Sequence, residues 1–219
     1  TAAVMIEPIQ GEGGVNVPSR EYMKELREVC TKAGVLLMFD EVQVGVGRTG
    51  TLFAYENFGV TPDIMTLAKG LAGGVAIGAM VATEEVAPAF VTHTHASTFG
   101  GNPIATAAGL AALKAVLEDG VLDNCKKVGA YLEAKLNALK SKYTFIKEVR
   151  GKGLILGMEL EEGIKAGEIV KDCLSKGLLL NCVGDKVLRF IPALIVTEKE
   201  VDEMLSTLVP SLEAAAGRG

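Results

Sequence analysis

Tryptophan is missing from this chain, aromatic residues make up only 5%, and there are two histidines. The four cysteines, Cys30, Cys125, Cys173 and Cys182, lie far apart. They form no C-x-x-C pair and no metal-like spacing, which excludes a disulfide framework or a zinc site as the organising principle. They read as reduced thiols in a cytoplasmic protein. No apolar run reaches the length of a membrane span, and the first residues lack the basic-then-apolar pattern of a signal peptide. Charge of neither sign forms blocks: 22 Lys and Arg stand against 27 Asp and Glu, a formal net charge of -5. That balance argues against a nucleic-acid surface. Apolar residues, by contrast, reach 49% of the 219 positions, enough for a sizeable core.

Short apolar runs alternate with helical or glycine-rich segments through the first part of the chain, the pattern of a mostly parallel α/β sheet. Strands are expected at Ala3–Glu7, Val35–Asp40, Ile64–Leu67 and Gly78–Ala82. A crossover helix at Arg20–Lys32 carries Met23, Leu26, Val29 and Cys30 on its apolar face. Pro103 opens an alanine-rich helix ending at Asp119-Gly120, and another follows over Leu122–Lys140. The texture then changes to a smaller α+β part. It has short strands at Phe145–Val149, Leu154–Leu160, Leu178–Asn181 and Val187–Ile191, and helices near Ile164–Lys176 and Thr197–Ala214. Thr197-Glu198-Lys199-Glu200 is a capping box. The predicted division is 1–118 and 119–219. Thr1–Glu7 has no initiator methionine and reads as a buried strand needing cover on both faces. The expectation is therefore that the sequence starts inside a domain.

Gly45-Val46-Gly47-Arg48-Thr49-Gly50 is a literal G-x-G-x-x-G. A dinucleotide fingerprint wants its glycines directly after a strand, with a long helix opening on the third. Here Asp40 ends the strand, other residues intervene, and the segment after Gly50 is too short for that helix. A flexible loop after a strand is the better reading.

Asp40 itself is more informative. An acid at the carboxyl end of a sheet strand faces the crevice where open α/β sheets bind ligands. Lys69 follows the apolar run Ile64–Leu67 and is flanked by Gly70, Gly73 and Gly74, which puts it on the same rim. A lysine there can attack a carbonyl once it is in its free amine form. An acid and a lysine so placed suit pyridoxal phosphate chemistry, although each alone reads better as a solvated strand end. His93 and His95 form an H-x-H on an expected strand, without a suitable third ligand for a metal.

Several longer motifs occur in order: Glu7-Pro8-Ile9-Gln10-Gly11-Glu12-Gly13-Gly14, Phe39-Asp40-Glu41-Val42-Gln43, Gly47-Arg48-Thr49-Gly50, Leu67-Ala68-Lys69-Gly70 and Ser97-Thr98-Phe99-Gly100-Gly101-Asn102-Pro103. This series resembles that of the class III, fold type I, pyridoxal-phosphate-dependent aminotransferases. The run Leu188-Arg189-Phe190-Ile191-Pro192-Ala193-Leu194 resembles the members that act on N-acetylornithine. The resemblance implies the carboxyl-terminal part of a cofactor-binding large domain at 1–118 and a small domain at 119–219. It also implies a homodimer with shared active sites, no metal, and no nucleic-acid or membrane partner.

The implied roles are specific. Lys69 would carry the aldehyde of pyridoxal 5'-phosphate and later move a proton between substrate and cofactor. Asp40 would pair with the pyridine nitrogen, Gln43 would donate to the phenolic oxygen, and Val42 would pack on the ring. Thr98 would bond the phosphate of the neighbouring subunit's cofactor, with Ser97 beside it near the substrate and His95 supporting that loop. Arg189 would take a substrate carboxylate, and Glu12 would pair with Arg189 while the longer amino donor is bound. The implied reaction moves an amino group from N-acetylornithine to 2-oxoglutarate, in arginine biosynthesis. Ornithine, succinylornithine, 4-aminobutyrate and carrier-linked lysine are alternatives that the same residues would serve. A catalytically incomplete fragment or dimerisation module, and then a nicotinamide oxidoreductase, are readings from other classes. The chain departs from the family in lacking its first half, which would supply a phosphate loop, a ring-stacking aromatic and the first substrate arginine. It also carries Ala76 where proline is frequent.

Overall fold

Strand ends in this protein are set by where apolar runs meet turn-forming residues. The computed structural model describes residues 1–217. The chain divides into two compact units, Thr1–Ile9 with Pro18–Leu122, and Gln10–Val17 with the chain from Asp123 onward. The break thus falls after Leu122, and the excursion Gln10–Val17 belongs with the second unit although the sequence reading left it with the first.

In the first unit, strands β1 (Ala3–Ile6), β2 (Leu36–Asp40), β3 (Ile64–Leu67) and β4 (Ala79–Ala82) form one sheet in that order. The first three run parallel, and β4 runs antiparallel to β3. Helix α1 (Arg20–Ala33) supplies the crossover. Ser19 caps its start by accepting the Tyr22 amide at 3.1 Å, and Gly34 ends it at φ 64°. Met23 and Cys30 are fully buried, but Val29 is 61% exposed. Its position, six residues after Met23, lies off the stripe that Met23, Leu26 and Cys30 share at helical spacing. An Arg27–Asp63 ion pair of 2.7 Å fastens the helix to the residue just before β3, and Asp63 also accepts the Leu37 amide at 2.7 Å. Helix α2 (Pro103–Glu118) starts at Asn102, whose side chain accepts the Ala105 amide at 3.0 Å. It packs against the short 3₁₀ turn Lys69–Ala72.

The second unit is built on an antiparallel sheet of β5 (Ile146–Lys152), β6 (Ile155–Leu160), β8 (Val187–Phe190) and β7 (Asn181–Val183), in that spatial order. Helices α3 (Val121–Lys142), α4 (Ala166–Ser175) and α5 (Glu198–Ala216) complete it. Leu132, Leu136, Leu156, Ile169, Leu208 and Leu212 form its buried centre. Each such side chain contributes about 1.5–3 kcal/mol through burial. The capping box stands as expected, with Glu200 accepting the Thr197 amide at 2.8 Å. Strand β7 begins at Asn181, where the sequence reading expected it to end. Its register is set by the hairpin turn Gly184-Asp185, where both residues have positive φ (58° and 53°), the signature of a tight primed turn. The apolar run Leu178–Leu180 ahead of it misled the periodicity.

Candidate active site

Asp40 is the last residue of β2 and pairs in register with Thr66 of β3. In parallel neighbours such partners face the same side of the sheet. The Asp40 Oδ1 accepts the Val42 amide at 2.9 Å, a tight turn that starts the loop to Gly50. The hydroxyl of Thr66 is buried and has no hydrogen-bond partner among the described residues. A buried polar atom left so is rare and points to a missing partner.

Lys69 leaves the same end of the sheet, just beyond β3, and its side chain is exposed. It adopts φ 46°, a left-handed conformation that L residues avoid, and opens the turn that packs on α2. Val42 and Gln43 are half-buried at the start of the loop. Glu41 between them and Asp40 is 1% exposed. Its carboxylate accepts the amides of Ala54 at 2.6 Å and Tyr55 at 2.8 Å, so it ties the two ends of the loop together. Burial pushes its carboxyl up to about 7, against the lowering effect of those two amides. The glycines of the G-x-G-x-x-G lie inside this tied loop. Gly45 is required there, because a Cβ would stand 2.9 Å from the Glu41 carbonyl oxygen.

Ser97 and Thr98 lie in an exposed loop leading into α2. Among the described residues, no hydrogen bond or ion pair joins either to Asp40 or Lys69. His93 and His95 are not on a strand: residues 92–94 turn, and His93 has φ 74°. An alternating face was therefore the wrong geometry for that pair. His95 instead stands edge-on to Phe90, with ring centroids 6.5 Å apart. Among the described residues no three metal-ligating side chains gather, and no helix is long and apolar enough to cross a membrane.

In the second unit, Arg189 sits in the middle of β8 and is 5% exposed. Its Nη1 meets Glu12 Oε1 at 2.8 Å, and its Nε donates to Asn181 Oδ1 at 3.1 Å. A cavity of about 480 Å³ opens beside it, walled by Leu132, Leu180, Phe190, Val201 and Met204. A buried guanidinium facing a mostly apolar cavity is suited to holding a carboxylate. The Glu12 side chain is 72% exposed. Sequence reasoning found Glu12 and Arg189 but missed Thr66, the grip of Glu41 on Ala54 and Tyr55, and the contact of Asn181 with Arg189. None of the three follows from a local sequence pattern.

The class-III aminotransferase family model matches residues 1–212. The chain belongs to the class III aminotransferases. Among curated relatives, the acetylornithine aminotransferase of Caldanaerobacter subterraneus subsp. tengcongensis is 53% identical over 206 residues, covering 94% of this chain and 52% of that protein. That of Methanocaldococcus jannaschii is 50% identical over 208 residues, with 95% and 52% covered. The chain thus spans about half the length of the curated relatives it matches. Among solved structures, the N-acetylornithine aminotransferase of Stenotrophomonas maltophilia superposes with TM-score 0.89 at 40% identity. It is covered over 58% of its length by the whole of this chain. The ornithine δ-aminotransferase of Plasmodium falciparum gives TM-score 0.93 at 34% identity, with 100% of this chain and 58% of that one covered.

Proposed function

We propose that this chain is the carboxyl-terminal part of a pyridoxal-phosphate-dependent aminotransferase that moves the amino group of N-acetylornithine to 2-oxoglutarate, in arginine biosynthesis. The observation that carries the reading is the Asp40–Thr66 pair at the carboxyl end of the sheet, with Lys69 leaving the same end from the neighbouring strand. The donor set fits the cofactor: a carboxylate for the pyridine nitrogen, a carboxamide at Gln43 for the phenolic oxygen, an amine at Lys69, and the orphaned Thr66 hydroxyl beside them. When bound, pyridoxal phosphate supplies an aldehyde that exchanges with amines and a ring that accepts electrons from the substrate carbon. Asp40 would hold a proton on the ring nitrogen, and Val42 would pack against the ring. Lys69 would hold the cofactor at rest and then, through Nζ, take and return the substrate proton.

Thr1–Ile9 and Pro18–Leu122 would belong to the cofactor-binding large domain, and Gln10–Val17, which holds Glu12, with the chain from Asp123 onward to the small domain. Arg189 would bind a carboxylate of the dicarboxylate substrate, and Glu12 would take its place when N-acetylornithine is bound, whose reacting carbon bears no carboxylate. Thr98, in its exposed loop, would bond the cofactor phosphate of a neighbouring subunit in a homodimer, with Ser97 beside it near the substrate. Phe99 and Ile104 nearby are 81% and 77% exposed, as expected of apolar side chains that another part of the assembly covers. The four free cysteines suit the cytoplasm.

Ornithine is the second reading, favoured by the structural match to the Plasmodium falciparum ornithine δ-aminotransferase. The test is made on the full-length protein supplied with pyridoxal phosphate. Borohydride should fix the cofactor's mass on the Lys69 peptide, and single-turnover rates with N-acetylornithine should exceed those with ornithine, succinylornithine and 4-aminobutyrate. Label on another lysine would overturn the assignment of Lys69, and a faster reaction with ornithine would overturn the substrate.

A further inference from the structure

Four residues form one row across the sheet of the second unit. Arg150 of β5 pairs with Gly157 of β6, Gly157 pairs with Arg189 of β8, and Arg189 pairs with Asn181 of β7. Directly opposed residues in antiparallel strands present their side chains on one face. The segment Gln10–Val17 lies on that row. The Arg150 guanidinium grips the Gly14 carbonyl oxygen with two donors, Nε at 3.1 Å and Nη2 at 2.8 Å. Val15 fills the space over Gly157, where a Cβ would stand 3.1 Å from the Val15 Cβ. Glu12 meets Arg189 at 2.8 Å.

The segment is held in a conformation its residues do not favour. Val15 is fully buried at φ 56°, a genuine outlier for a β-branched side chain, and Gly14 has φ 110°. Its ends are closed by the Gln10 amide on the Asn16 carbonyl at 3.0 Å and by Asn16 Nδ2 on the Gln10 Oε1 at 2.8 Å. That closure fixes the shape of the turn but not where the turn sits on the sheet. Arg150 supplies the second part. Its side chain is 14% exposed and is itself held by Glu159 at 2.5 Å and Glu148 at 2.7 Å, so it presents its remaining donors in one direction. A planar fork locked on one side by carboxylates is a rigid anchor on the other.

We propose that Arg150 is a positioning residue for substrate selection. By holding the Gly14 carbonyl it seats the turn so that Glu12 reaches Arg189, and it thereby sets how readily Arg189 is yielded to a dicarboxylate. Gly157 is the second part of the device, since its missing side chain lets Val15 lie flat over the row. The inference rests on the reading in which Glu12 and a substrate carboxylate compete for Arg189.

The experiment uses the full-length holoenzyme and measures two things. One is the ratio of single-turnover kcat/KM for the glutamate half-reaction to that for the N-acetylornithine half-reaction. The other is the affinity for glutarate, an unreactive dicarboxylate, by calorimetry. Arg150→Lys keeps a positive charge for Glu159 but loses the two-donor grip. It should raise the ratio and tighten glutarate by about tenfold, the order of one charge-assisted hydrogen bond. Gly157→Ala should move both in the same direction by displacing Val15, with no change of charge. In the Glu12→Ala background neither substitution should add further, because both act through Glu12. If Glu12→Ala itself leaves ratio and glutarate affinity unchanged, the competition reading fails. If Glu12→Ala shifts them while Arg150→Lys and Gly157→Ala leave them alone, or depress both half-reactions equally, Arg150 is merely structural and the proposal is overturned.

Discussion

The Glu41 carboxylate and the Ala54 amide, 2.6 Å apart, close the loop that begins at Asp40. Burial raises the Glu41 carboxyl from the usual 4.5 to about 7, so the folded protein binds its proton more tightly than the unfolded chain does. For an acid shifted upward, the stabilising contribution is complete below about pH 4.5 and is lost as pH rises through about 7. The difference corresponds to about 3 kcal/mol, at about 1.4 kcal/mol per pH unit. Glu41→Gln removes the titration and keeps an acceptor for one of the two amides. Urea unfolding at about pH 5 and about pH 8 should show the parent losing more stability across the interval than the variant. Parallel losses in the two proteins would show that Glu41 ionises freely.

At Lys69 the backbone and the proposed chemistry ask for different residues. A left-handed φ of 46° costs a side-chain-bearing residue about 1–2 kcal/mol, and glycine avoids that cost. Glycine's larger unfolded-state entropy takes back part of the gain. Lys69→Gly should therefore be more stable than Lys69→Ala by about 1 kcal/mol in denaturant unfolding, while both abolish transamination in the full-length enzyme. Equal stabilities would mean that the turn is not strained. Residual turnover at the parent's rate would remove Lys69 from the chemistry.

Much of this arrangement was legible in the sequence. Asp40 and Lys69 could be placed because an apolar run that meets a charged residue ends a buried strand, and both runs are short and clean. The cap at Thr197 was legible because its two partners are three residues apart. What escaped the sequence depends on contacts between distant residues. The sharing of one sheet row by Arg150, Gly157 and Arg189 follows from the register of three strands. No local pattern announces that Val15 will be buried at positive φ, or that Gln10–Val17 will pack with the second unit. The expected strand around His93 failed because alternation was read over residues too few to exclude a turn.

Asp40 tests whether charge or hydrogen bonding matters at the strand end. Asp40→Asn retains an oxygen for the Val42 amide, so the turn should hold and stability should change by no more than about 0.5 kcal/mol. The negative charge proposed to keep the ring nitrogen protonated is lost. Removal of the substrate proton in single turnovers with saturating cofactor should slow by about 10²–10³-fold, the usual order for one misplaced electrostatic partner. Glutamate deuterated at its reacting carbon should then show a larger isotope effect than with the parent. A variant that merely binds cofactor more weakly, with normal rates at saturation, would assign Asp40 to binding alone.

Asn181 offers a test of Arg189 that runs opposite to the one at Glu12. Its Oδ1 accepts the Arg189 Nε at 3.1 Å from the neighbouring strand, and so fixes the plane of the guanidinium while Nη1 faces Glu12. Removing Glu12 exposes the fork, but removing Asn181 lets it rotate. A bidentate contact with a carboxylate depends on that plane, whereas a donor whose reacting carbon bears no carboxylate makes no such contact there. Asn181→Ala should therefore raise KM for 2-oxoglutarate by about tenfold, the equivalent of one hydrogen bond to a charged group, and leave KM for N-acetylornithine within about twofold. Steady-state kinetics in which each substrate is varied at saturating levels of the other would show the split. A rise confined to the acceptor side would place the guanidinium plane, and not only its charge, among the determinants of substrate choice. An equal rise on both sides would mean that Asn181 supports the strand and not the fork.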